Sequence, residues 1–276
     1  MEWLSRNWDR VLELSGAHLY QSVVPLVLAT LISIPLARAV RSNGSRRRVA
    51  LRGAVTQASA LLYTIPSLAL FVVLPVILGT QILDPVNVIV ALTIYAVALL
   101  VRSAADALES VDPDVLRAAD AMGYRPLRRF FAVDLPLSLP VLFPALRVVS
   151  VSNISLVSVG ALIGIENLGT LFMDGLRRNF PFQILVGIAA TLVLALVMDL
   201  ALVALQRLTT PWVRAGRAGS GGRGRARRGG VGGAGGAGAG PSVPAGQALA
   251  AGAGSAPVSA PVSGTPAGAR PDGGAR

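Results

Sequence analysis

The sequence predicts an all-α membrane protein, a polytopic bundle of five transmembrane helices. Of its 276 residues, 53% are hydrophobic and only 14% are charged, whereas a soluble domain carries about 25% charged residues. Five almost uncharged runs are long enough to cross a bilayer, and the arginines gather in the connections between them. Composition, run length and charge placement therefore all favour lipid as the main solvent.

A transmembrane helix needs about 20 mostly apolar residues. Five runs reach or approach this length: 19–37, 53–83, 86–101, 135–165 and 179–205. The third run is long enough if its helix continues to residue 108. The fourth run is interrupted only by Arg147 and the fifth only by Asp199. Prolines in or beside these runs predict bent helices in a packed bundle, because neighbouring helices can satisfy the carbonyl groups that proline frees.

The arginines predict how the helices are oriented. They are concentrated in the first connection, in the third, and after the fifth run, whereas the second connection has none. Cytoplasmic loops carry the excess of basic residues, so these three regions are expected to be cytoplasmic. The prediction is a multi-pass protein of the plasma membrane with an extracytoplasmic segment 1–16, a transmembrane domain 17–214 and a cytoplasmic C-terminus.

The last part of the sequence differs from the rest. Residues 215–276 consist almost entirely of Gly, Ala, Pro, Ser and Arg, a composition that cannot bury enough apolar surface to order a backbone. We expect a disordered cytoplasmic tail.

Several classes of function are excluded by composition. The chain has no cysteine and a single histidine, so a disulfide scaffold and Cys/His metal sites are not expected. It also lacks lysine, which a Walker A loop requires, so if ATP powers this protein, another chain must bind the ATP and its Mg²⁺. The arginines do not line one face of a folded domain, which argues against nucleic acid. We expect no catalytic residue, bound cofactor or metal in this chain, and no enzyme activity.

The third connection predicts a short capped helix. Asp112 is a good N-cap and Pro113 suits the first helical turn. Gly123 fits a left-handed position after the helix, and Pro126 prevents its continuation. About ten residues give a helix about 15 Å long. A helix this short needs a surface to pack on.

The same connection resembles a motif of the permeases of binding-protein-dependent ABC importers. Their pattern is E-A-A, three residues, G, nine residues, I, one residue, L-P, and this chain keeps every spacing with Arg117, Ala118, Ala119, Gly123, Val133, Leu135 and Pro136. The resemblance implies that these residues and Asp114 form a coupling helix that docks on a separate ATPase. Arg117 replaces the usual Glu, which leaves its contact open.

More of the chain resembles the glycine betaine/carnitine/choline permeases, most specifically the run from Thr64 to Leu70, Thr-Ile-Pro-Ser-Leu-Ala-Leu. The resemblance, over roughly residues 15–210, implies the type I, MetI-like permease fold and import of a compatible solute such as glycine betaine, carnitine, choline or a proline-like molecule. The implied partners are an ABC ATPase, a second permease and an extracytoplasmic solute-binding protein. Leu99 and Glu166-Asn167 depart from the family, which suggests a heterodimer, with a homodimer as the alternative.

Polar residues within the runs are candidates for the transport pathway. They are Thr64, Pro66 and Ser67 in the second run and Asn153, Ser155 and Ser158 in the fourth. Polar residues in membrane spans usually face the bundle, but hydrogen bonds between helices are an equally common use. His18, at the outer edge of the first run, is expected to be interfacial.

The charged residues in the spans suggest an ion network. Arg102, Arg147 and Asp199 all fall in the cytoplasmic third of their runs, where they could together hold one gate state. Separate snorkelling to the headgroups and local pairing are the alternatives.

Other functions remain as rivals. An ABC permease for another small polar solute fits the same features. A self-sufficient channel or secondary transporter would need paired halves with discontinuous helices, and no internal repeat is visible. A membrane-embedded enzyme would need a buried catalytic set, which one histidine and scattered acids do not supply.

Overall fold

The computed structural model describes residues 2–41 and 46–212, without the side chains of Arg47 and Arg48. These residues form helices and short connections, with no strand among them. The ten α-helices are α1 (Glu2–Arg6), α2 (Trp8–Val40), α3 (Arg46–Thr64), α4 (Ser67–Leu78), α5 (Pro85–Glu109), α6 (Pro113–Ala121), α7 (Pro126–Arg129), α8 (Leu135–Val157), α9 (Gly169–Arg177) and α10 (Pro181–Thr209). The predicted tail, 215–276, lies outside the described residues.

The prediction of an all-α membrane bundle is confirmed. Within the described ranges, four continuous helical stretches are long and apolar enough to cross a membrane: α2, α5, α10, and the stretch 126–163 that contains α7 and α8. A fifth span is obtained when α3 and α4 are counted together. A π turn (Phe130–Asp134) joins α7 to α8, and a 3₁₀ turn (Ser158–Ile163) follows α8.

The second predicted run is a broken helix, which its hydropathy did not indicate. The axes of α3 and α4 meet at 100° around Ile65 and Pro66. Pro66 has no N–H to donate and its ring clashes with the preceding turn, while the residue before a proline is pushed out of helical conformation. The carbonyl oxygen of Ile65 accepts a hydrogen bond from the Tyr95 hydroxyl of α5. The break is therefore held by the neighbouring helix.

The core of the bundle is built around α5. Two thirds of its most apolar stretch is buried, and it packs against α2, α3, α4 and α8. Small residues make the close approach of α2 and α5 possible, among them Ala29 and Ala37 on α2 and Ala96 and Ala104 on α5. By contrast, only three residues of α10 are buried, so most of this helix faces outward from the chain.

The N-terminal part of α2 is longer and more deeply packed than the apolar run suggested. Val11 and Leu14 pack against Leu168 and Leu171, although they precede the predicted first span. This extension also corrects the expectation for His18, which is fully buried. The His18 Nε2 lies 3.0 Å from the Ile154 carbonyl oxygen and donates to it, so the ring links α2 to α8 and does not lie at an interface with lipid headgroups.

We expect the substitution Gly169→Ala to destabilise the bundle. A Cβ there would lie 2.3 Å from the Ser158 carbonyl oxygen and 2.8 Å from Asn167 Oδ1, and overpacking of this kind costs about 1–3 kcal/mol. Gly16→Ala is the matched control, since no atom lies within 4 Å of the point that its Cβ would occupy. The melting temperature of the detergent-solubilised protein should fall only for Gly169→Ala. Equal melting temperatures would contradict the packing described here.

Candidate functional site

The predicted helix in the third connection is present as α6, with caps at both ends. The Asp112 carboxylate accepts a hydrogen bond from the backbone N–H of Asp114 at 2.8 Å, and Pro113 occupies the first turn. At the other end Gly123 adopts φ +80°, and the N–H of Tyr124 reaches back to the Ala119 carbonyl at 3.2 Å. This is the Schellman arrangement, which satisfies carbonyls that would otherwise be left free.

The part of the predicted docking motif that lies on α6 has one buried face and one exposed face. Ala119 and Leu116 are buried against the chain, whereas Ala118 is exposed. Arg117 is also exposed, and it pairs with the Asp114 carboxylate one turn earlier on the same helix. This pair supplies a contact for the arginine that stands in place of the usual glutamate. The exposed face of α6 therefore carries an alanine beside a neutralised charge pair.

The motif continues through the π turn into α8. The N–H of Leu135 donates to the carbonyl of Phe130, five residues earlier. Pro136 has no N–H for the carbonyl four residues before it, which favours the wider π spacing at this point. Single turns of π-helix within an α-helix are often found at functional sites. Val133, Leu135 and Pro136 are half-buried here, and Asp134 between them is buried.

Asp134 is the centre of an ion-pair network that sequence reasoning missed. We call Arg41, Arg129, Asp120 and Asp134 the arginine clamp. Arg41 contacts the Asp134 carboxylate at 2.8 Å, and Arg129 contacts Asp120 at 2.5 Å with its Nε 3.5 Å from Asp134. The Asp134 side chain is only 4% exposed. The clamp thus connects the end of α2, the end of α6, α7 and the π turn.

Arg38 adds contacts at the junction of α2, α7 and the π turn. Its Nη2 donates to the Pro126 carbonyl at 3.1 Å, and its guanidinium lies 4.4 Å from the centre of the Phe130 ring, a cation–π distance. The sequence signal that could have found the junction is a single acid between Val133 and Leu135, close to several arginines. We refer to the end of the bundle that holds the clamp and α6 as the basic end.

Of the three residues proposed as an ion network in the membrane, the structure joins two. Arg147 of α8 makes a bidentate contact with Asp199 of α10, at 2.5 Å for Nε and 2.6 Å for Nη2. Arg102 on α5 is exposed and has no ion pair within the described ranges. Arg102 was expected to join this network, but within the described residues the network is a pair between α8 and α10.

The pathway candidates do not form one group. Thr64 and Pro66 are exposed at the break between α3 and α4, with Ser67 half-buried beside them. Ser155 is exposed on α8, and Ser158, the first residue of the 3₁₀ turn that follows it, is half-buried. Asn153 is fully buried, with its Nδ2 3.5 Å from the Ser22 carbonyl. In this conformation Asn153 packs between helices and lines no open surface.

A second polar cluster lies at the end of the bundle opposite the basic end. Arg10 of α2 contacts both Glu13 and Glu166, and its hydrogen bond to Glu166 holds the pKa of that carboxyl below its usual range. The neighbouring Asn167 is buried; its Nδ2 donates to the Val157 carbonyl at 3.0 Å and its Oδ1 accepts from the Gly169 N–H at 2.7 Å. Glu166 and Asn167, which depart from the resembled family, thus tie the turn after α8 to α2 and α9.

The amino-acid sequence matches one family over residues 29–215, about two thirds of the chain: binding-protein-dependent transport system inner membrane components. The chain belongs to this family. The permease is also similar to individual proteins. It is 28% identical to the glycine betaine/carnitine/choline transport system permease protein OpuCB of Bacillus subtilis, over 76% of this chain and 94% of the relative.

Two further comparisons agree with this assignment. The permease is 30% identical to the osmoprotectant import permease protein OsmW of Salmonella typhimurium, over 76% of this chain and 97% of that protein. Among solved structures, it superposes on a chain of the inward-facing MetNI methionine ABC transporter with a TM-score of 0.64, covering 76% of this chain and 98% of that one at 22% identity. The structural likeness supports the MetI-like fold alone.

Membership of this family indicates the role of the chain. Permeases of this family are membrane components of ABC importers and are not enzymes, and the apolar helices agree with a multi-pass protein of the plasma membrane. Among the described residues no group of His, Cys, Asp or Glu is arranged to hold a metal ion. The site consists of α6 and the arginine clamp that joins it to the bundle.

We expect Asp134→Asn to destabilise the permease far more than Asp114→Asn. Removing the buried carboxylate leaves Arg41 without its partner, and breaking a buried pair costs about 3–5 kcal/mol. Asp114 is 74% exposed and pairs with an equally exposed arginine, so its loss should cost at most about 1 kcal/mol. Melting temperatures of the two variants provide the test, and a similar shift for both would show that the clamp contributes little.

Proposed function

We propose that this permease imports a compatible solute, such as glycine betaine, carnitine, choline or a proline-like molecule. The observation that carries the proposal is the match to permeases named for glycine betaine/carnitine/choline and osmoprotectant transport over nearly their whole lengths. Such a match leaves no large segment of either relative without a counterpart in this chain.

We further propose that α6 is the surface on which a separate ATPase docks. Three features support this assignment: the spacing of the motif, the exposed face around Ala118, and the caps that keep a nine-residue helix formed. Bound ATP and Mg²⁺ would belong to that ATPase, because this chain has no lysine for a phosphate-binding loop. The Arg117–Asp114 pair would meet the ATPase as a dipole and not as a single negative charge.

The remaining partners and the orientation follow from the same assignment. The basic end would face the cytoplasm, since basic residues favour that side, with the N-terminus outside. A second permease, identical or different, would complete the pathway, and an extracytoplasmic solute-binding protein would deliver the solute at the end that carries Glu166. The predicted cytoplasmic tail remains part of this proposal.

The arginine clamp suggests how the ATPase would act on the bundle. Closure of two ATPases would draw the two α6 helices of the permease pair together. Because Arg129 and Asp134 connect α6 and the π turn to Arg41 on α2, this movement would pass to α2 and α8 together. The junction would then move as a unit, and the transport pathway would open to the two sides of the membrane in turn.

Reconstitution tests the proposal directly. Proteoliposomes holding this chain, its ATPase, its second permease and the binding protein should accumulate radiolabelled glycine betaine only with ATP inside. Vesicles that carry this chain alone should take up none, since the motor is missing. Uptake by the chain alone would indicate a channel, and ATP-driven uptake of a different small polar solute, with none of betaine, choline or carnitine, would replace the solute assignment.

We expect Gly123→Val to uncouple transport, with Gly79→Val as the matched control. Both glycines end a helix with positive φ, +80° and +67°, and both have open space around the Cβ position. A β-branched residue therefore strains both turns by a similar amount, but only Gly123 lies beside α6. The ratio of solute imported to ATP hydrolysed should fall at least fivefold for Gly123→Val alone. Equal losses in both variants would remove α6 from the coupling role.

A further inference from the structure

The Arg147–Asp199 pair lies at a depth where charges are unusual. Asp199 is eight residues before Arg207 on α10, a rise of about 12 Å, and Arg207 is the basic residue that marks the end of this helix. The short carboxylate of Asp199 cannot reach the headgroups from there, although a long arginine side chain can bend toward them. The pair is therefore within the membrane-spanning part of the bundle.

The pair is also open to its surroundings. The side chains of Arg147 and Asp199 are 40% and 25% exposed, and they border a crevice of about 490 Å³ that is also lined by Pro144, Val148, Val151 and Ser152. A volume of this size suits a small molecule. The exposed Ser155 lies one turn beyond Val151 on the same helix, so polar groups continue along this face of α8.

Lipid is a poor solvent for such a face. Ionisable groups within membrane spans face the bundle interior or a water-filled cavity. This pair is only partly covered by its own chain, so the crevice must open onto water or onto a partner chain. The break at Ile65 and Pro66 obeys the same rule, since irregular backbone at membrane depth also requires cover or water.

Two hydrogen-bond donors around the crevice have no acceptor among the described residues. Arg147 gives Nε and Nη2 to Asp199, and Nη1 makes no hydrogen bond within the described part of the chain. The hydroxyl of Ser152 also has no hydrogen-bond partner there. An anion that entered the crevice would find a guanidinium N–H and a hydroxyl available, with a carboxylate held beside them.

We propose that this crevice is a binding site for a zwitterionic solute on its way through the permease. The solute carboxylate binds Arg147 Nη1 and Ser152, and its quaternary ammonium group lies toward Asp199. A quaternary ammonium has no N–H to donate, so it would be bound here through attraction to the nearby negative charge. The inference rests on the proposed function, because it takes the solute class from that proposal and assigns it a place in this chain.

The absence of cysteine from the chain allows a direct test by single-cysteine labelling. Ser152→Cys in the complete importer, reconstituted in nanodiscs, is treated with a water-soluble, negatively charged methanethiosulfonate. Ser5→Cys, at an exposed position, and Ser33→Cys, at a fully buried one, are the matched serine controls. We expect Ser152→Cys to react within tenfold of the Ser5→Cys rate and Ser33→Cys to react at least 100-fold more slowly.

Glycine betaine should then slow the labelling of Ser152→Cys at least fivefold, with no effect on Ser5→Cys. No labelling at Ser152→Cys, or labelling that betaine leaves unchanged, overturns the site. Betaine uptake by the wild-type importer is measured in parallel. Uptake with unprotected labelling rejects only the crevice, whereas absent uptake rejects the proposed solute.

A second variant separates solute binding from a purely structural ion pair. Arg147→Gln combined with Asp199→Asn removes both charges, leaving side chains that can still hydrogen-bond between α8 and α10. If the pair only joins the helices, the assembled double variant should have the wild-type KM for betaine uptake, which would overturn the proposal. If the pair binds solute, KM should rise at least tenfold. Size-exclusion chromatography confirms that the variant importer is assembled.

Discussion

The buried ion pair between Arg41 and Asp134 fixes the π turn to the end of α2, and α6 is attached to this junction through the Asp120–Arg129 pair. Asp134 is almost completely enclosed, so its charge is tolerated only because Arg41 and Arg129 face it. Those two arginines come from different elements, the end of α2 and the end of α7. A nine-residue helix is not stable alone. Once the clamp fixes α7 and the π turn, α6 has a defined surface to pack on through Leu116 and Ala119.

The membrane imposes a second constraint on this fold. Backbone groups in lipid must be satisfied internally, and charges in the spans must be paired or hydrated. Most of the chain obeys by forming continuous helices around α5. The exposed surface of the chain also carries the break between α3 and α4 and the Arg147–Asp199 pair, which this constraint requires to be covered by protein or reached by water. Both features are understandable if these surfaces line a pathway or meet a second permease.

The sequence was informative wherever the determining interactions are local. The ends of α6 were predictable because an Asp–Pro start and a glycine in left-handed conformation act within a few residues of each other. The spans were predictable because hydropathy depends on composition over about 20 residues. Each of these signals is contained in one stretch of chain and does not require knowledge of what packs against it.

What the sequence did not predict depends on contacts between distant residues. Pro66 predicts a bend in run 53–83 but not its size of 100°, since a hydrogen bond from Tyr95 of another helix also holds the break. His18 was assigned to an interface because its partner, the Ile154 carbonyl, is 136 residues away. Arg102 was grouped with Asp199 by depth, although depth does not define which side of a helix a residue occupies. Asp134 was overlooked because its arginines are separated from it along the chain.

The central claim, that an ATPase docks on α6, is tested most directly by cross-linking. A photoreactive amino acid at Met122, 69% exposed next to α6, is compared with one at Ile82, 64% exposed in the loop at the opposite end of the bundle. In the assembled importer, irradiation should join position 122, and not position 82, to the ATPase. An ATPase adduct from position 82, or none from position 122 in a complex that hydrolyses ATP, would contradict the account.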